Sequence, residues 1–129
     1  MKLFIVAALL IVAVQGDYVL KTLDDLQTAR KECILENKVP QELVAEYQKR
    51  IFKEEGVTPC YIRCIFTRLG LFDEKTGFIT ENYLKQLGRG DTVKDGVVGC
   101  YDNTGTDTCL WAYRAFTCFT KQGFLPEGY

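Results

Sequence analysis

The stretch Cys60-Tyr61-Ile62-Arg63-Cys64, CYIRC, places two thiols four residues apart in a chain of 129 residues that contains no histidine. They are metal ligands, a redox pair, or two staples reaching for different parts of the fold, and compartment decides among these. The chain opens MKLFIVAALLIVAVQG, with one cation at Lys2, an uncharged apolar run from Leu3 to Val14, and Gly16 at its close. That layout predicts a secretory signal peptide over residues 1–16, with Asp17 the first mature residue. As a membrane span the run falls short: its twelve residues rise about 18 Å against a hydrocarbon core of about 30 Å.

Residues 17–129 then form one small domain, and no second hydrophobic span follows. The expected product is secreted and extracellular, without membrane insertion. Of 16 basic and 17 acidic residues, only Lys2 leaves with the signal, so the mature chain is slightly acidic. Nucleic acid and anionic membranes need a basic face, and neither is expected as a partner.

Six cysteines in a small secreted domain read as a disulfide framework. Residues i and i+4 on a helix hold their Cβ atoms about 5–6 Å apart, whereas a disulfide needs about 3.8 Å, so Cys60 and Cys64 should not pair with each other. Cys109 and Cys118 stand two and a half helical turns apart, on opposite faces and about 13 Å distant. Setting both contacts aside leaves ten of the fifteen pairings that six cysteines allow. Whichever holds, the helix carrying CYIRC is clipped to two partners. No metal is expected, because zinc sites want histidine or matched cysteine pairs, and secretion oxidises thiols. A redox CxxC is absent.

Helix punctuation recurs along the domain. Thr22 and Asp25 resemble a capping box opening a helix to about Asn37. After Val39-Pro40, an amphipathic helix is expected from Gln41 to a stop at Gly56, with Leu43, Val44, Tyr47 and Ile51 on one stripe. Thr58 is read as the N-cap of the CYIRC helix, with Pro59 at its first position and Gly70 at its end. Following an LFDEKTGF turn, Thr80 is read as capping a short helix to Gly88, and Gly88–Gly99 as a loop around one or two helical turns. Asp107 opens a last helix closed by Gly123, and FLPEGY trails. Strand signals are poor, so the domain reads as all-α.

The cysteine spacing, C-x26-C-x3-C-x35-C-x8-C-x8-C at Cys33, Cys60, Cys64, Cys100, Cys109 and Cys118, resembles that of the insect odorant-binding proteins, the pheromone and general odorant-binding family. The resemblance covers the whole mature chain; the third interval is somewhat short for the family. It implies about six helices around an internal apolar cavity, stapled by interlocked bridges Cys33–Cys64, Cys60–Cys109 and Cys100–Cys118. It also implies a carrier of small hydrophobic ligands (odorants, pheromones or fatty-acid-like molecules) through extracellular fluid, and not an enzyme. Such a carrier is a monomer or weak dimer, without a cofactor, and meets a membrane receptor only indirectly. A non-olfactory lipid or hormone carrier of haemolymph, reproductive or glial fluid is the alternative. Saposin-type and plant lipid-transfer proteins have other cysteine spacings. A secreted phospholipase is excluded because its His-Asp pair, like any Ser-His or Cys-His base, needs the missing histidine.

Aromatic supply agrees with a carrier: the chain holds eight Phe, seven Tyr and one Trp. Trp111, Ala115 and Phe119 recur every four residues on the last helix, and small Ala115 between two large rings is expected to leave room for a guest. Phe116 belongs to the same cluster. Phe66, Leu69, Leu84 and Leu87 are candidate opposite walls, Phe72 and Phe78 flank a turn, and Phe124 and Leu125 lie in a tail that the resemblance places beside the cavity. Tyr83, Tyr113 or Arg114 is expected to meet a ligand's polar head. Ten buried methylenes at about 0.8 kcal/mol each give about 8 kcal/mol gross, before an association cost of about 4 kcal/mol or more, so micromolar affinity is the expected ceiling. Without histidine, a pH switch would fall to carboxylates such as Glu127 or the C-terminus at Tyr129. The tail is expected to act as a lid and not as a pocket plug. Arg89-Gly90-Asp91 spells an adhesion tripeptide, a match short enough to arise by chance.

Overall fold

The structure is a computed structural model, and it describes residues 18–129. The expected signal peptide, residues 1–16, lies outside the described residues. Helix α1 (Leu23–Glu36) begins at a complete capping box: Thr22 Oγ1 accepts from the Asp25 N–H at 3.1 Å and the Asp25 carboxylate accepts from the Thr22 N–H at 2.8 Å. Its buried residues, Leu26, Ala29 and Cys33, follow at helical spacing along one stripe.

Helix α2 (Gln41–Gln48) stops well before Gly56, because Arg50 adopts a left-handed conformation at φ 64°. That reversal lets the Ile51 N–H reach the Glu46 carbonyl at 2.9 Å. It also turns Phe52 inward, onto Tyr47 at 5.2 Å and edge-on to Phe116 at 5.3 Å. A non-glycine residue in this region costs about 1–2 kcal/mol, which the aromatic packing of Phe52 offsets.

Helix α3 (Thr58–Arg68) is the central element. It buries Pro59, Tyr61, Ile62, Cys64, Ile65 and Phe66 on a broad apolar face and leaves Arg63 and Arg68 to surface ion pairs with Glu74, Glu32 and Glu36. Thr58 is not its cap: Val57 holds that position, and the buried Thr58 hydroxyl bonds to the Tyr47 hydroxyl at 2.6 Å. A two-residue antiparallel ladder follows, β1 (Phe72–Asp73) with β2 (Gly77–Phe78), Phe72 opposite Phe78. The Asp73 carboxylate closes the turn on the N–H groups of Lys75 and Thr76.

Helix α4 (Thr80–Leu87) is capped by Ile79, while Thr80 turns its hydroxyl to that of Tyr101 at 2.8 Å. A 3-10 turn (Asp91–Val93) leads into α5 (Lys94–Gly99). Helix α6 (Thr108–Gln122) starts at Asp107, whose carboxylate accepts from the Cys109 N–H at 3.0 Å, and ends at Gly123, φ 74°. Among the described residues there are thus six α-helices, and none is long and apolar enough to cross a membrane.

The bridges are Cys33–Cys64, Cys60–Cys109 and Cys100–Cys118, with Cα separations of 5.8, 4.6 and 5.4 Å. They join α1 to α3, α3 to α6, and the end of α5 to α6, so α3 and α6 are each clipped twice. Between α3, the ladder and α6 the rings of Phe66, Phe72, Phe78, Tyr83 and Phe119 form a continuous aromatic core.

Candidate ligand site

An apolar slot lies among α1, α3 and α6. Leu26 comes from α1, Ile62, Ile65 and Phe66 from α3, and Phe116 from α6, while Phe52 arrives from the reversal after α2. The open space within it is about 40 Å³, close to the room of one water molecule. Two shallower depressions share its lining. One of about 310 Å³ runs toward α1 and α2 past Arg30, Arg50, Phe52 and Tyr61. The other, about 250 Å³, runs along α6 past Arg50, Phe52, Phe116 and Leu125.

The slot is nearly closed because the chain's own last residue fills it. The Tyr129 ring lies 6.4 Å from that of Phe66, and its hydroxyl is buried without a hydrogen-bond partner. Burial pushes this phenol well above its ordinary value. The Tyr129 main-chain oxygen accepts from Arg50, and that of Gly128 accepts from Arg30 at 3.4 Å. Upstream, the tail is held by the Tyr83 hydroxyl on the Phe124 carbonyl at 2.7 Å and by Arg89 on the Gly123 carbonyl at 2.8 Å. Arg89 also lies 5.6 Å over the Phe124 ring, so the arginine of Arg89-Gly90-Asp91 is engaged in holding the tail. The tail therefore does more than cover the site: it inserts a ring. A long inserted helix is unnecessary, since one aromatic side chain suffices for a slot this small.

Of the residues expected to line a pocket, Phe66 and Phe116 border the slot and Leu125 borders the outer depression. Phe124 packs on Gly96 of α5, and Leu87 is half-buried against the core. Leu84 faces a separate open groove of about 880 Å³ between α4 and α5. Leu69 is buried under the N-terminal segment, where its carbonyl takes the Tyr18 hydroxyl at 3.0 Å. Phe72, Phe78, Tyr83, Ala115 and Phe119 belong to the packed core and do not border the slot. Phe119 stacks on Tyr83 at 4.6 Å and meets Phe78 edge-on at 5.2 Å. The room expected at Ala115 is absent because Ala112 and Ala115, both fully buried, let α6 lie closely along α3. Trp111 is partly buried against the core but away from the slot, its indole N–H donating to the carbonyls of Thr104 and Gly105.

The expected head-group residues are committed elsewhere. Tyr83 holds Phe124, the Tyr113 hydroxyl donates to the Phe52 carbonyl at 2.6 Å, and Arg114 donates to the Thr104 carbonyl at 2.9 Å. The polar groups that do reach the site are Arg30, Arg50 and Tyr61, with Tyr129. Burial, opposed in part by the nearby Tyr61, lowers the Arg30 guanidinium from its ordinary value, and the neighbouring Arg50 charge adds to the lowering. Tyr61, Ile62 and Ile65 could have been found on the same apolar face as Phe66. Arg50 and Phe52 were hidden by a helix that ends before them.

The model of the PBP/GOBP family matches residues 15–122. Odorant-binding protein 22 of Aedes aegypti is 37% identical over 125 residues, covering 94% of this chain and 91% of the relative. General odorant-binding protein 99a of Drosophila melanogaster is 38% identical over 129 residues, covering 95% and 91%. Among solved structures, Odorant-binding Protein 22a of Anopheles gambiae superposes with a TM-score of 0.60 at 27% identity, covering 72% of this chain and 94% of that one. A second structure of it, described as in the open status for ligand binding, gives 0.62 at 25% identity, covering 76% and 92%. Six helices, three bridges in the pattern that the cysteine spacing implied, and a match along nearly the whole described chain agree: the chain belongs to the PBP/GOBP family, whose insect relatives are named odorant-binding proteins.

Proposed function

We propose that the protein is an extracellular carrier of small hydrophobic ligands, matured by removal of residues 1–16, and that its ligand takes the slot now filled by Tyr129. The observation that carries this reading is the unpartnered hydroxyl buried with that ring. Leaving a buried polar group unsatisfied costs about 1–3 kcal/mol, so Tyr129 is a weakly held occupant of an otherwise apolar site. A guest that displaces it would join the slot to the flanking depressions, reaching the size range of small-molecule pockets. The walls are aliphatic and aromatic, which suits broad selectivity at micromolar affinity. The relatives are named as binding proteins, and the reading needs no chemistry on the ligand.

Two substitutions at one position test it. Tyr129→Ala empties the slot and should tighten binding of the neutral fluorophore N-phenyl-1-naphthylamine by about five-fold or more. Tyr129→Phe keeps the ring but removes the unsatisfied hydroxyl; gaining about 1 kcal/mol for the closed state, it should weaken binding by about five-fold. The fluorophore is needed because the single tryptophan, Trp111, lies away from the slot. A parent protein and an Ala variant that both fail to bind the fluorophore would sink the proposal.

A further inference from the structure

The tail that fills the slot sits there as a bound peptide would. Tyr129 is the last residue, so the oxygen that Arg50 holds belongs to a carboxylate, while the ring enters the apolar slot beside Phe66. One residue upstream, the Gly128 carbonyl accepts from Arg30 at 3.4 Å. Gly128 is itself required: its φ is 87°, and a Cβ there would strike the Leu23 side chain. The Tyr129 N–H closes a turn on the Pro126 carbonyl at 3.1 Å, with Gly128 at the position where a type II turn needs positive φ. Ring, carboxylate, carbonyl and missing side chain are thus each met by a different group of the protein. One feature fits badly, the buried Tyr129 hydroxyl without a partner.

We infer that the slot is a recognition site for the carboxyl end of peptides that finish in glycine and an aromatic residue, phenylalanine before tyrosine, the chain's own tail being the resident copy of that ligand. The inference rests on the carrier reading and names a ligand class for it. Arg50 supplies the charged partner of the terminal carboxylate, and charge-assisted hydrogen bonds are roughly twice as strong as neutral ones. Arg30 holds the penultimate carbonyl, and the slot among Leu26, Ile62, Ile65 and Phe116 takes the ring. A peptide ending in phenylalanine keeps all of these contacts and buries no orphaned hydroxyl, so it fits the site better than the chain's own end does. The tail's one advantage is its tether, which presents the ring at an effective concentration in the millimolar range. Free peptide therefore competes poorly until that ring is removed.

The test uses the delipidated full-length mature Tyr129→Ala variant, with acetylated tetrapeptides displacing N-phenyl-1-naphthylamine. Acetyl-Pro-Glu-Gly-Phe should bind at least about five-fold more tightly than acetyl-Pro-Glu-Gly-Tyr, and at least about ten-fold more tightly than its own carboxamide. Acetyl-Pro-Glu-Ala-Phe should lose about five-fold or more at the glycine position, and acetyl-Pro-Glu-Gly-Ala should leave the fluorophore in place. On the parent, each peptide should bind at least about ten-fold more weakly, because the tethered ring competes. Adding Arg50→Asn, a residue that tolerates the left-handed backbone at this position, should erase the gap between acid and carboxamide. Arg50→Lys should keep most of that gap, and Arg114→Gln, outside the site, should keep all of it. Circular dichroism checks that each variant is folded; should the asparagine variant unfold, the acid, carboxamide and alanine-ended peptides on Tyr129→Ala decide the matter alone. Equal binding of acid and carboxamide, an alanine end that displaces as well as phenylalanine, or a gap that survives Arg50→Asn overturns the inference and leaves the carrier reading standing. So does a fluorophore that binds and that no peptide displaces. Failure of the fluorophore itself to bind overturns both.

Discussion

Tyr18 and Tyr61 show how single side chains report the packing around them. Burial pushes the Tyr18 phenol up to about 12, with the Asp25 charge adding to the effect. Burial likewise carries Tyr61 to about 12, against a smaller opposing pull from Arg30. A raised folded-state value means that the unfolded chain gives up these protons first, near pH 10. Their contribution to stability is therefore intact below about pH 10 and is lost as pH rises through about 12. Tyrosinate absorbance at 295 nm should show at least two phenols titrating late in the folded protein, and urea midpoints should fall between pH 10 and 12. All seven tyrosines titrating together near pH 10 in the folded state would contradict the packing described.

The tail and α5 meet at one residue without a side chain. A Cβ at Gly96 would lie 2.6 Å from the Phe124 ring, a ring that Arg89 covers. Gly96→Ala should therefore lift Phe124 away, at an overpacking cost of about 1–3 kcal/mol. Its readout is amide exchange at Phe124, whose N–H bonds the Phe119 carbonyl at 2.8 Å: faster exchange is expected there, while α3 amides keep their order of protection. Unchanged exchange at Phe124 would mean that the tail is held elsewhere. Elements whose ends are written locally were legible in the sequence: the Thr22 and Asp25 box, Asp107 and Gly123 all act where their residue types placed them. The end of α2 was not, because Arg50 reverses the chain so that Phe52 meets the distant Phe116 ring edge-on. Thr58 and Thr80 misled for a related reason, since each hydroxyl found a tyrosine instead of a backbone N–H. Nor was the ladder legible, two residues per strand being too few for alternation to show. The candidate site suffered most, because its arginines and Tyr129 come together only through tertiary packing, and helical periodicity carries no record of that.

At the scale of the molecule, three interlocked bridges decide which parts can move together. Cys33–Cys64 and Cys60–Cys109 fix α3 between α1 and α6, the helices that supply most of the slot. Cys100–Cys118 does different work: it ties the end of α5 to α6. Through Gly96, α5 is the platform on which Phe124 rests. Cys100→Ala/Cys118→Ala should therefore act twice. Opening an 18-residue separation costs about 3 kcal/mol in the chain-entropy model, which for a domain of this size lowers Tm by about 10–20 °C. Loosening α5 should also free the tail, so the variant should bind the neutral fluorophore more tightly than the parent at temperatures where both remain folded. Gly96→Ala gives the comparison that separates the two effects, since it disturbs the tail and leaves the bridge intact. A bridge variant that loses thermal stability while its binding stays at the parent's level would show that α5 braces the fold without controlling the tail.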